Sequence, residues 1–141
     1  MKGILKKKFG VGCAIVLLIC CIGSAYATPT TSFSNVNCAL GKLTTLTSPI
    51  TKTDTAKPYY SITKYTPTVN TAGNWQPSLS VHLYVSSTGA RYLSHYGIVS
   101  TTTRTFEVDD PQNAVGLRLW IVGENASTNV SNIAVSGTFT S

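Results

Sequence analysis

Acidic side chains are scarce in this chain: five Asp and Glu among 141 residues against 11 Lys and Arg, with two histidines. That leaves little material for general acid–base catalysis or a metal site, which need several such groups to converge. Cysteine is scarcer than its count of four implies. Cys13, Cys20 and Cys21 all fall near the N-terminus, and Cys38 stands alone beyond them. A lone thiol closes no internal disulfide, so the body of the protein must be held together by its core. Also lacking is an uninterrupted apolar run of the roughly 20 residues that a membrane helix needs. No stretch has apolar residues recurring at helical spacing.

What is present begins at the N-terminus. Lys2, Lys6, Lys7 and Lys8 make a positive start, and Val11–Ile22 is an apolar run of 12 residues. Ala25-Tyr26-Ala27 then places small residues at the −3 and −1 positions of a cut before Thr28. This is the plan of a secretory signal peptide, and its Lys-rich style resembles the leaders of Gram-positive bacteria. Ile19 before Cys20 argues against a lipid-modified cysteine, because lipoprotein cleavage favours a small residue there. Residues 1–27 are expected to be removed and 28–141 to form one exported domain. Sequencing of protein from the medium should begin at Thr28; protein retained in the membrane with its leader would contradict this.

Removal takes four of the 11 bases and none of the five acids, leaving seven against five and a net charge of +2. A nucleic-acid partner loses its support, because phosphate binding needs a dense basic face. About 114 residues can bury roughly 65% of their unfolded surface, enough for a core without disulfides. Cys38 fits there as a small hydrophobe, with an intermolecular disulfide as the alternative. Asn125-Ala126-Ser127 and Asn129-Val130-Ser131 match the N-glycosylation sequon, which is idle in a bacterium.

Period-two alternation is the dominant pattern. Leu79, Val81, Leu83 and Val85 alternate with Ser80, His82, Tyr84 and Ser86; Val115, Leu117, Leu119 and Ile121 alternate with Gly116, Arg118, Trp120 and Val122. Ile133, Val135, Gly137 and Phe139 do the same, and each series predicts a half-buried strand. Phe33–Leu40, Tyr59–Tyr65, Tyr92–Val99 and Thr103–Val108 supply further candidates. Turn clusters separate them: Thr66-Pro67, Thr71–Asn74, Ser87–Gly89, Asp109–Asn113 and Gly123–Asn125. The Thr-rich segment 41–57 is either a long loop or an extra edge pair, and Thr28–Thr31 reads as a loose tail. The expectation is an all-β protein, a single antiparallel sandwich or small barrel of seven or eight strands.

The closing segment Val115-Gly116-Leu117-Arg118-Leu119, Glu124-Asn125 and Val135-Ser136-Gly137-Thr138-Phe139 resembles the final hairpin of small exported β proteins of bacilli and related Gram-positive bacteria. The resemblance implies export and a β fold. It brings no activity and no site residues, since that group is itself uncharacterised.

Candidate chemistry is thin. No Gly-x-Ser-x-Gly elbow occurs, and His82 and His95 both fall inside expected strands. Glu107 and Glu124 could meet across a sheet as a carboxylate pair, but each adjoins a turn, where a solvated acid is ordinary. Glu107, Asp109 and Asp110, with Gln112 and Asn113, offer oxygens to a hard cation such as calcium; Asp-Asp-Pro is first a turn signal. No cofactor is otherwise implied.

Aromatic side chains are the stronger lead. Alternation turns Trp120 and Tyr84 away from the core-facing residues of their strands, and Arg118 shares the face of Trp120. Trp75 and several tyrosines add to this population. Such rings stack on sugars or anchor protein interfaces, although cross-strand aromatic pairs also stabilise sheets by themselves. The expected function is a secreted, non-enzymatic binding module for a cell-wall or environmental glycan or a protein partner, with no membrane-spanning segment after cleavage. The alternative is a secreted antagonist, a bacteriocin-like protein or small toxin. Against it, the chain has no amphipathic cationic helix.

Overall fold

In the computed structural model, residues 27–69, 76–86, 89–109, 111 and 113–141 are described. Residues 1–26, 70–75, 87, 88, 110 and 112 lie outside them, and with them the expected leader up to Tyr26, Trp75, Asp110, Gln112 and the turn cluster expected at 71–74. The described residues form nine strands: β1 (Thr30–Ala39), β2 (Leu43–Thr45), β3 (Ile50–Thr51), β4 (Tyr59–Val69), β5 (Leu79–Val85), β6 (Ala90–Ile98), β7 (Thr102–Thr105), β8 (Arg118–Asn125) and β9 (Val130–Thr140). One sheet runs β1-β9-β4-β7; the other runs β2-β8-β5-β6, with β3 also on β8. All strand pairs are antiparallel, and the sheets pack face to face as a sandwich, not a closed barrel.

The core lies where the alternating residues meet. Leu79, Val81, Leu83, Val85, Leu119 and Ile121 from one sheet face Ile133, Val135, Phe139, Tyr60 and Ile62 from the other, all buried. Each such side chain contributes on the order of 1.5–3 kcal/mol by leaving water. Cys38 belongs to this core, and burial pushes its thiol up to about 11. A protonated, enclosed sulfur is a poor nucleophile, and in this position it is closed to a partner chain.

Several elements differ from the alternation pattern. The eighth strand begins at Arg118, not Val115, because Gly116 takes φ +90° and throws Val115 into solvent. It continues through Glu124 and Asn125, which sequence placed in a turn; the reversal comes four residues later, at Asn129 with φ 62°. Thr66-Pro67 is likewise no turn. β4 runs through it, paired with β9, while β7 covers β4 only from Tyr59 to Ile62. The other side of β4 is open beyond that point, where a proline is tolerated. Thr30 and Thr31 are not a loose tail: they pair with Thr140 and Phe139. The unpatterned segment 41–57 holds β2 and β3, both on β8. A β-bulge at Asn35 (φ 52°) shifts register inside β1, burying Phe33 and Cys38 while exposing Leu40.

Lys52 is a buried lysine that the charge count did not flag. Its Nζ donates to the Ala56 carbonyl and lies 3.6 Å from Asp54 Oδ1, and Asp54 accepts from Thr28. Burial lowers its pKa and Asp54 opposes that shift. These contacts close the 52–56 loop and tie the N-terminal segment to it.

Candidate binding face

Alternation along β5 and β8 sends every second side chain to the outer surface of the larger sheet, and register decides which of them meet. Tyr84 lies directly opposite Trp120, and His82 opposite Val122. On the other flank of β5, Arg91 of β6 faces Tyr84 and Ser94 faces His82. The Tyr84 and Trp120 rings stack with centroids 5.4 Å apart and planes at 24°. Such a pair is worth about 0.5–1.5 kcal/mol beyond its buried area. Both side chains are half-exposed.

On the far side of the indole the strand pairing of β8 is interrupted. β2 pairs with β8 from Glu124 to Val122, and β3 resumes at Leu119. Between them Leu46 and Thr47 are buried and stay bonded to β8, their N–H groups donating to the Ile121 carbonyl while the Thr47 hydroxyl accepts the Ile121 N–H. No strand residue therefore stands across from Trp120 on that side. Arg118, exposed and two residues along the same face, is the next side chain of β8. Tyr84, Trp120 and Arg118, the residues expected to form a platform, thus share this face, and Arg91 joins them as the register partner of Tyr84 on β6. Sequence reading missed Arg91 because a register shift between Leu83 and Tyr84 sets its pairing.

A second cluster adjoins the first. His82 Nδ1 is 2.7 Å from Ser94 Oγ, and its Nε2 is 3.0 Å from Glu124 Oε2. With Glu124 ionised, Nε2 carries the proton and Nδ1 accepts from the serine. The order hydroxyl–imidazole–carboxylate is that of hydrolytic relays. Here, however, the imidazole is fully buried, engaged on both nitrogens, and edged by Tyr96 at 6.1 Å. The cluster cross-links β5, β6 and β8. No sequence signal could have found it, since its members are brought together by cross-strand register alone.

His82 carries a consequence for acid stability. Burial lowers its pKa below 6.5, with the Glu124 hydrogen bond opposing and Arg91 adding to the effect. His95, stacked on Phe106 at 4.6 Å and bonded to Tyr60, is lowered by burial and Arg104, with Glu107 opposing. A histidine that resists protonation when folded favours the native state above its unfolded pKa, and that stability is lost as pH falls. Melting temperature should therefore drop between about pH 7.5 and 5.5, and His82→Gln should flatten the slope. A melting temperature constant across that interval would contradict the assignment.

The acidic loop is described only in part. Glu107 pairs with Lys57 and Asp109 is exposed, while Asp110 lies outside the described residues. Asn113 turns inward and donates to the Thr55 carbonyl. Among the described residues no three His, Cys, Asp or Glu side chains could hold a metal together. Glu107 and Glu124 do not meet: one binds Lys57, the other His82. His95 faces inward, unlike His82. Among the described residues no helix is long and apolar enough to cross a membrane.

Compared with protein families, curated proteins and solved structures, the chain matches none of them.

Proposed function

We propose that this chain is an exported, non-enzymatic β-sandwich that binds a glycan on the outer face of its larger sheet. The observation that supports this reading is the half-exposed Tyr84–Trp120 stack on that face. Saccharides present apolar C–H faces that lie flat on aromatic rings, with hydroxyls left for polar neighbours. Ser, Thr and Tyr around the stack suit such hydroxyls.

Trp120→Ala tests the reading. The indole is half-exposed, so truncation should cost about 1 kcal/mol of stability, near the value of the lost stack. A ring stacked on an aromatic contributes roughly 1–3 kcal/mol to affinity, so binding to an immobilised glycan array should fall about tenfold or more. Thermal melts and array binding of both proteins provide the two readouts. A stability loss of roughly 3–5 kcal/mol, the range for a buried large aromatic, with binding unaltered would make Trp120 part of the core and end the proposal.

A further inference from the structure

The charges around the stack are unevenly placed. Arg91 stands across from Tyr84, and Arg118 follows Trp120 on the same face. Both are exposed. The acid of this face, Glu124, lies four residues from Trp120 along β8, roughly 13 Å away at strand spacing. Its carboxylate is engaged by His82, two residues from Tyr84 on β5. One end of the face thus offers two guanidinium groups flanking a pair of stacked rings, and the other holds a carboxylate already committed. Lys57, the remaining lysine with a described ion pair beyond Lys52, is bound to Glu107 and does not share the patch.

From this we infer that the ligand of the face is an acidic glycan, one whose sugars carry carboxylates, seated on Trp120 and Tyr84 with its carboxylates on Arg91 and Arg118. Guanidinium groups match carboxylates in shape, presenting parallel N–H donors to the two oxygens. A sugar ring on the indole leaves its substituents at the ring edge, where Arg118 lies on one side and Arg91 beyond Tyr84. A neutral sugar would use the rings and leave both cations idle, so charge complementarity favours the acidic class. The inference rests on the platform reading above and adds the ligand's chemistry to it.

The test compares the purified protein's affinity for polygalacturonate, for dextran of matched length and for dextran sulfate. Polygalacturonate should bind about tenfold more tightly than dextran, an advantage that shrinks when salt shortens the screening length from about 8 Å to 3 Å. Arg91→Gln with Arg118→Gln should remove that advantage, and Trp120→Ala should weaken binding to both polymers. Equal affinity for dextran and polygalacturonate, or an advantage that survives the double substitution, overturns the acidic class and leaves the platform standing. Stronger binding to dextran sulfate, unaffected by Trp120→Ala, overturns it in favour of charge attraction alone. Binding to none of the three overturns the platform reading as well.

Discussion

Gly137→Ala is expected to be the most damaging single-methyl addition in the protein. Gly137 lies in β9, the strand hydrogen-bonded on both sides in the smaller sheet, opposite Phe33 of β1 and Ile62 of β4. A Cβ there would stand 1.9 Å from the Ser61 carbonyl oxygen and 2.8 Å from the Phe33 ring. The first of these is backbone, held by the β4 ladder, and cannot swing aside as a flexible side chain would. Register is already irregular on both flanks, between Phe33 and Val36 and between Ile62 and Lys64, so the strands approach one another around this residue. Forcing an atom into a close-packed interior costs about 3 kcal/mol or more when backbone must move. For a domain of this size the melting temperature should fall by at least about 10 °C. Gly41→Ala is the control: its backbone is left-handed (φ +66°), but nothing lies within 4 Å of the added atom, so its cost should stay near 1 kcal/mol. Equal melting of wild type and Gly137→Ala would show that the close approach is absent in solution.

Asn125→Leu should rank next. Asn125 is fully buried at the end of β8, and its Nδ2 donates to the carbonyls of Cys38 in β1 and Val130 in β9. Its Oδ1 accepts from the Ser127 N–H. One side chain therefore satisfies three backbone groups and joins the edge of one sheet to the other. Leucine fills a similar volume and satisfies none of them. Each orphaned buried group costs about 1–3 kcal/mol, and with partial relaxation the total should reach roughly 3–5 kcal/mol. Urea denaturation should register this as a lower midpoint with an unchanged slope. A loss below about 1 kcal/mol would mean that water replaces the lost bonds. Ser127 completes the arrangement by exchanging hydrogen bonds with the Ser78 backbone. The sequon match at Asn125 is thus occupied by structural work, and a glycan on that nitrogen is incompatible with the fold.

The two substitutions illustrate what was legible in advance. Gly137 stood in an alternating stripe and was expected to face inward, but its slot under the Ser61 carbonyl arises from packing that no local pattern encodes. Asn125 looked like a turn residue because Asn is common in turns; a partner 87 positions away in sequence is what buries it. The same limit applied at the outer face. Arg118 and Trp120 were placed on one outward face by alternation alone, because strand geometry sends i and i+2 to one side; that Tyr84 stands across from Trp120 came from the β5–β8 register. Arg91 was not, since its place depends on an irregularity in β6 pairing. Ser94, His82 and Glu124 come from three strands and share no spacing at all.

By itself, then, the order of residues determined an all-β body, the inward stripes of β5, β8 and β9 and the outward aspect of Trp120. Each of these follows from the two-residue repeat of an extended chain with one wet face and one dry. Only the tertiary structure decided that Tyr84 stacks on Trp120, that His82 is sealed between a serine and a carboxylate, and that Lys52 closes a loop. Those features depend on which strands become neighbours and in what register, and that choice is made by the packing of the whole core, summed over contacts far apart in sequence.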